Sequence, residues 1–143
     1  YNTHIMPHTC ESLVVSCIDF RFQQYIRDWI DENLQGQSYD YVGFAGSTKD
    51  LETIAGQVDI SVRLHDINNL YLLHHEECGA YGDESTPERH AEDLRKAKAL
   101  FLSNYTKLGI GLYYVHLNGK FETVSLIFPL SHLYIMRKKI SAA

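Results

Sequence analysis

The stretch Leu13-Val14-Val15-Ser16-Cys17-Ile18-Asp19-Phe20-Arg21 constrains the chain most. Apart from Ser16, Leu13–Ile18 is apolar and rich in β-branched residues, which suits a central parallel strand buried on both faces. The run ends in a thiol, a carboxylate and a guanidinium at alternate positions. In extended backbone Cys17, Asp19 and Arg21 share one face, and Ile18 and Phe20 take the other.

The periodicity that follows supplies the rest of an α/β fold. Phe22, Tyr25, Ile26, Trp29, Ile30 and Leu34 recur at three- and four-residue spacing, a helix that Gly36 ends. Tyr39–Phe44 reads as a second strand, and Ala45-Gly46-Ser47 as a small-residue loop where backbone can approach a ligand. Leu51, Ile54, Ala55, Val58, Val62 and His65 form a second helix with Ser47 or Thr48 as its N-cap. Leu70–His74 is the third strand. Ser85-Thr86-Pro87-Glu88 opens a helix that runs to about Leu108.

Gly111–Leu117 and Phe121–Phe128 are strands joined at Asn118-Gly119-Lys120, a hairpin signal because Asn-Gly tolerates positive φ. Residues 1–12 read as an irregular arm and 129–143 as a terminal helix or tail. The order predicts one domain over residues 1–143. Its sheet is mostly parallel, Rossmann-like, flanked by helices on both sides and closed by an antiparallel C-terminal edge hairpin.

Open parallel sheets bind ligands at the carboxyl ends of their strands. Cys17 ends the first strand, His75 ends the third, and Cys78 follows in the loop, so all three converge there. Zinc accepts thiolate and imidazole, and three protein ligands leave a position for water. The His-x-x-Cys spacing lets His75 and Cys78 reach one ion. Asp19 and Arg21, two and four residues beyond Cys17, read as a functional ion pair. Alternation turns His74 away from His75, toward a helix packed on the sheet, in a structural role. Glu76 and Glu77 read as solvated loop carboxylates, either of which could instead support the ligand set from behind, and Cys10 as a thiol outside the ligand set.

Thirteen Lys and Arg against eighteen Asp and Glu give a net charge of −5, with basic residues clustered briefly at Arg137-Lys138-Lys139. That balance disfavours a nucleic-acid partner. No apolar run approaches the roughly 18 residues a membrane-spanning helix needs. Three cysteines make a poor disulfide framework and suit a reducing, cytoplasmic setting. Residues 1–12 carry no charged-then-apolar signal pattern.

The chain resembles the β-class carbonic anhydrases. Cys17-Ile18-Asp19-Phe20-Arg21 is similar to their Cys-x-Asp-x-Arg signature, and His75-Glu76-Glu77-Cys78-Gly79-Ala80 to their His-x-x-Cys-Gly-Ala. Ala45-Gly46, Asp50-Leu51-Glu52-Thr53-Ile54-Ala55 and Gly111–Gly119 resemble later family segments in the same order. The resemblance implies zinc-dependent reversible hydration of carbon dioxide to bicarbonate by a zinc-bound hydroxide. It implies Cys17, His75 and Cys78 as zinc ligands and Asp19 and Arg21 as the catalytic pair, Arg21 holding Asp19 off the metal. In a second family arrangement the aspartate leaves the arginine and closes the fourth position; both remain open here.

The resemblance further implies a homodimer or dimer-based oligomer. The expected substrate pocket draws on Phe44, Ala45, Gly46 and Gly79, with Phe20 and Tyr81 as further apolar lining. Where relatives carry Arg-Asn-Ala-Gly-Asn, this chain has Gly43-Phe44-Ala45-Gly46-Ser47, losing a cation and two amides. Hydrolysis of carbonyl sulfide or carbon disulfide at the same site, or zinc binding without turnover, therefore stand beside the main reading. Thiol redox chemistry is weakest, since the chain has no Cys-x-x-Cys.

Overall fold

The computed structural model describes residues 7–125, so the tail expected at 129–143, residues 1–6 of the arm, and positions 126–128 of the last expected strand lie outside the described residues. The central strand β1 (Ser12–Ser16) is buried at every position. It pairs in parallel with β2 (Tyr39–Gly43) on one side and β3 (Asn69–His75) on the other, setting Val14 between Tyr41 and Tyr71. Next to β3 runs parallel β4 (Gly109–Val115), and β5 (Phe121–Thr123) closes the edge antiparallel. The sheet order is β2-β1-β3-β4-β5, the mostly parallel sheet with an antiparallel edge that the sequence pattern predicts.

Alternation along β1 and β3 sorts the core into two layers. Leu13, Val15, Leu70 and Leu72 cluster with Ile54 and Val58 of α2 (Leu51–His65) and Leu94, Ala97 and Phe101 of α3 (Pro87–Asn104). Val14 and Leu73 cluster with Phe22 and with Ile26, Trp29, Ile30 and Leu34 of α1 (Gln23–Leu34). Burial of each large side chain is favourable by about 1.5–3 kcal/mol, so both faces of the sheet are held.

Helix α1 ends in left-handed backbone at Gln35 (φ 48°) and Gly36 (φ 79°). Its apolar stripe is not all core: Tyr25 stays 37 % exposed at the rim. Trp29 stacks on Phe121 with centroids 5.4 Å apart and planes 9° apart, and meets Tyr71 and Tyr113 at 5.3 and 5.0 Å. The hairpin tip closes through Gly119 N–H to the His116 carbonyl, with Gly119 at φ 86°. A Cβ there would also lie 2.6 Å from the Tyr25 ring, so turn and packing both require glycine.

Several boundaries differ from expectation. The N-cap of α2 is Asp50, whose side chain accepts from Thr53 N–H, and not Ser47 or Thr48. Ser47 lies in a turn at φ 55°, and Thr48 is buried against His74, so neither is free to cap. Helix α3 ends at Asn104, because Tyr105 leaves helical backbone at φ −134°. Strand β4 begins two residues early, where Gly109 N–H joins the Asn68 carbonyl. Among the described residues, no helix is long and apolar enough to cross a membrane.

Candidate metal centre

Cys17 sits immediately beyond β1, buried at 7 % exposure, while His75 is the last residue of β3 and Cys78 lies in the following turn. The parallel pairing of β1 with β3 brings these ends together. The two sulfurs are 4.0 Å apart, and Cys17 Sγ, His75 and Cys78 Sγ offer ligand atoms all within 4.8 Å of one another.

Local backbone orients each donor. The Gly46 N–H points at Cys17 Sγ from 3.4 Å, and the Cys78 N–H is held by Ser85 Oγ at 2.9 Å. His75 Nδ1 lies 2.7 Å from the Glu76 carbonyl, so that nitrogen carries the proton and donates it. The lone pair is then on Nε2, which is buried and has no hydrogen-bond partner. An orphaned imidazole lone pair beside two sulfurs is a donor set that fits zinc. The sulfurs titrate unequally: the hydrogen bond from Cys78 lowers the Cys17 thiol against the opposing effect of burial, and the same bond, with burial, raises Cys78.

Beyond Cys17 the backbone departs from expectation. Extended structure stops at Ser16, and Phe20–Phe22 form a single 3-10 turn capped by Asp19, whose carboxylate accepts from Arg21 N–H. Asp19 and Arg21 meet across that turn and not along one face of a strand. Gln23 Nε2 fastens the turn by donating to the Cys17 and Asp19 carbonyls. Phe22 is buried beneath it and packs on the His75 ring with centroids 4.2 Å apart.

Arg21 grips Asp19 through Nη2 at 2.8 Å and Nε at 3.1 and 3.2 Å. These bonds, aided by the guanidinium charge, hold the Asp19 carboxyl below the ordinary carboxylate range. Asp19 Oδ2 stands 3.9 Å from His75 Nε2. Glu77, for which the sequence left both a solvated and a supporting role open, engages Arg21: its carboxylate lies 3.3 Å from Nη1 and its carbonyl accepts from Nη2 at 3.0 Å.

A cleft of about 260 Å³ opens beside the donors, lined by Cys17, Ile18, Asp19, Phe20, Ala45, Gly79 and Ala80. Ala45 and Gly79 thus line it and Gly46 contacts Cys17, whereas Phe44 packs against the core cluster of α2 and α3. Tyr81 is buried with the two cysteines, its hydroxyl donating to Asp93. Lys49 places its ammonium 5.2 Å from the Tyr81 ring, a cation near the cleft that the motifs do not signal.

On the α2–α3 face of the sheet, turned away from His75, His74 lies 2.7 Å from Thr48 Oγ1 and 2.8 Å from His90 Nδ1. His90 in turn lies 2.9 Å from Ser85 Oγ. Burial pushes both imidazoles down, His90 to about 4, so both are neutral near pH 7. The structural role expected of His74 matches this placement. His90 and Ser85 carry no local pattern that would have singled them out.

The family described as "Putative carbonic anhydrase" matches residues 7–125. An uncharacterized protein of Rickettsia bellii is 26 % identical over 132 residues, covering 79 % of this chain and 80 % of that protein. The carbonic anhydrase of Streptococcus mutans superposes with a TM-score of 0.57 at 16 % identity, over 87 % of this chain and 88 % of that one. A chain from the structures of two tetrameric β-carbonic anhydrases of Sordaria macrospora superposes with a TM-score of 0.57 at 13 % identity, over 82 % of both chains. With a match over residues 7–125, the chain belongs to the family described as "Putative carbonic anhydrase", and its fold is that of the solved carbonic anhydrases.

Proposed function

We propose that this protein is a zinc-dependent carbonic anhydrase that interconverts carbon dioxide and bicarbonate. The observation that carries the reading is the buried, unpartnered Nε2 of His75 beside the Cys17 and Cys78 sulfurs, next to the Arg21-bound Asp19. Zinc held by Cys17, His75 and Cys78 supplies a Lewis acid that makes water acidic enough to react near neutral pH.

The chain's own residues supply the rest. Arg21 keeps Asp19 anionic and turned toward the guanidinium, so its carboxylate oxygens can accept a hydrogen bond from the reacting water and orient it. Glu77 holds Arg21 from the other side. Ile18, Phe20, Ala45, Gly79 and Ala80 give an uncharged substrate an apolar surface to lie on. Hydration of carbon dioxide to bicarbonate releases one proton. The half-exposed rim of the cleft leaves that proton a route to buffer.

Three free thiols support a reducing, cytoplasmic setting. Phe20 at 85 % and Ile18 at 61 % exposure support a homodimer or dimer-based oligomer that covers the cleft mouth. The test is stopped-flow hydration of carbon dioxide with zinc quantified per chain. We expect about one zinc per chain and a rate that rises with pH, because two thiolates make the water less acidic than three imidazoles would. Asp19→Ala is expected to cut kcat on the order of a hundredfold while zinc content stays unchanged. Zinc at full occupancy with no hydration at any pH would sink the reading and direct attention to carbonyl sulfide, carbon disulfide or a non-catalytic role.

A further inference from the structure

The hydrogen bonds behind the metal donors form one directed chain. The Thr48 N–H points at His74 Nε2 from 3.4 Å and its hydroxyl lies 2.7 Å from the same atom, so Nε2 carries the lone pair. In a neutral imidazole the proton is then on His74 Nδ1, which donates to His90 Nδ1 at 2.8 Å. His90 therefore holds its proton on Nε2 and donates it to Ser85 Oγ at 2.9 Å. Ser85 Oγ also accepts the Cys78 N–H at 2.9 Å.

The two ends of this chain are the two supports of the sulfurs. Thr48 stands in the turn whose Gly46 N–H is directed at Cys17 Sγ, and Ser85 holds the backbone of Cys78 itself. Both imidazoles are 1 % exposed, between the sheet and α3. Apolar side chains would fill that space with no polar group to satisfy, whereas a satisfied polar chain fixes distances and directions.

The geometry points to His74 and His90 as positioning residues that set the spacing of Cys17 and Cys78 for the metal, with Thr48 and Ser85 as their anchors. The inference rests on the zinc reading above and adds two residues outside the donor set, whose rings meet that of Tyr81, itself buried with Cys17 and Cys78. Neither histidine ligates. Their effect passes through the two turns, which a bulky apolar replacement would leave packed but uncoupled. Such supporting shells typically change metal affinity by about 10–100-fold when broken.

The test compares wild type with His90→Phe, His90→Gln and Ser85→Ala. Zinc dissociation constants come from competition with a chromophoric chelator, and thiolate-to-metal and d–d bands from the cobalt-substituted protein. Gln can accept from His74 and donate to Ser85, so it is the conservative rescue. We expect His90→Phe to weaken zinc binding by at least about tenfold and shift the cobalt bands. Ser85→Ala should do so less, and His90→Gln should recover most of the affinity and the wild-type spectrum. Should His90→Phe fail to fold, Ser85→Ala alone is judged by the same criterion. Wild-type zinc affinity and an unchanged cobalt spectrum in folded His90→Phe, or in Ser85→Ala where that variant does not fold, overturn the positioning role and leave the zinc reading standing. Failure of the wild type to bind zinc overturns both.

Discussion

Replacing Cys78 with serine is expected to weaken zinc binding by about a hundredfold or more. The free energy of thiolate-rich zinc sites is about 10–16 kcal/mol, so one ligand among three or four carries on the order of 3 kcal/mol, and 1.4 kcal/mol is a factor of ten. Chelator competition measures the loss directly. The variant also changes the pH dependence. In the metal-free centre Cys78 retains its proton, raised by the bond to Cys17 and by burial, and that proton must leave when a cation binds. Wild-type affinity therefore climbs with pH across the neutral range, while Cys78→Ser should show a shallower climb. Equal affinity in the two proteins would mean that Cys78 is a buried thiol and nothing more.

Phe22→Ala is expected to cost about 3–5 kcal/mol of folding stability, the range for deleting a fully buried aromatic ring. Phe22 is 1 % exposed, packs with Ile26, Leu73 and Val115, and lies against the His75 imidazole. Equilibrium denaturation should show a lower midpoint with an unchanged slope. Because the ring also fixes His75, zinc affinity should fall as well, and Phe22→Leu should restore stability further than it restores affinity. A loss below about 1 kcal/mol would mean that the turn over β1 collapses to fill the space.

Local pattern carried the sheet, the two helix-covered faces and the hairpin, since each follows from spacing along a few turns or one strand. Cys17, His75 and Cys78 were legible because strand ends on neighbouring parallel strands must adjoin. Two kinds of feature were not legible. The Asp50 cap lost to Ser47 and Thr48 because all three are good cap residues, and only the long-range bond from Thr48 to His74 removes that competitor. The turn at Phe20–Phe22 was hidden because Phe20 and Arg21 continue the alternation of a strand and Phe22 opens the helical stripe, and Gln23 closes the turn through carbonyls that no spacing rule marks. That Glu77 and not Glu76 engages Arg21 shared that limit, since the contact spans 56 residues.

The stack of Trp29 on Phe121 joins the first helix to the last described strand, 92 residues apart in the chain. Trp29 is the protein's only tryptophan, so its emission is an optical reading of how α1 seats on β3, β4 and β5. During synthesis the aromatic face of α1 stays without its closing partner until position 121 has been added. Time-resolved tryptophan fluorescence thus follows the packing of α1 on these strands with no label introduced.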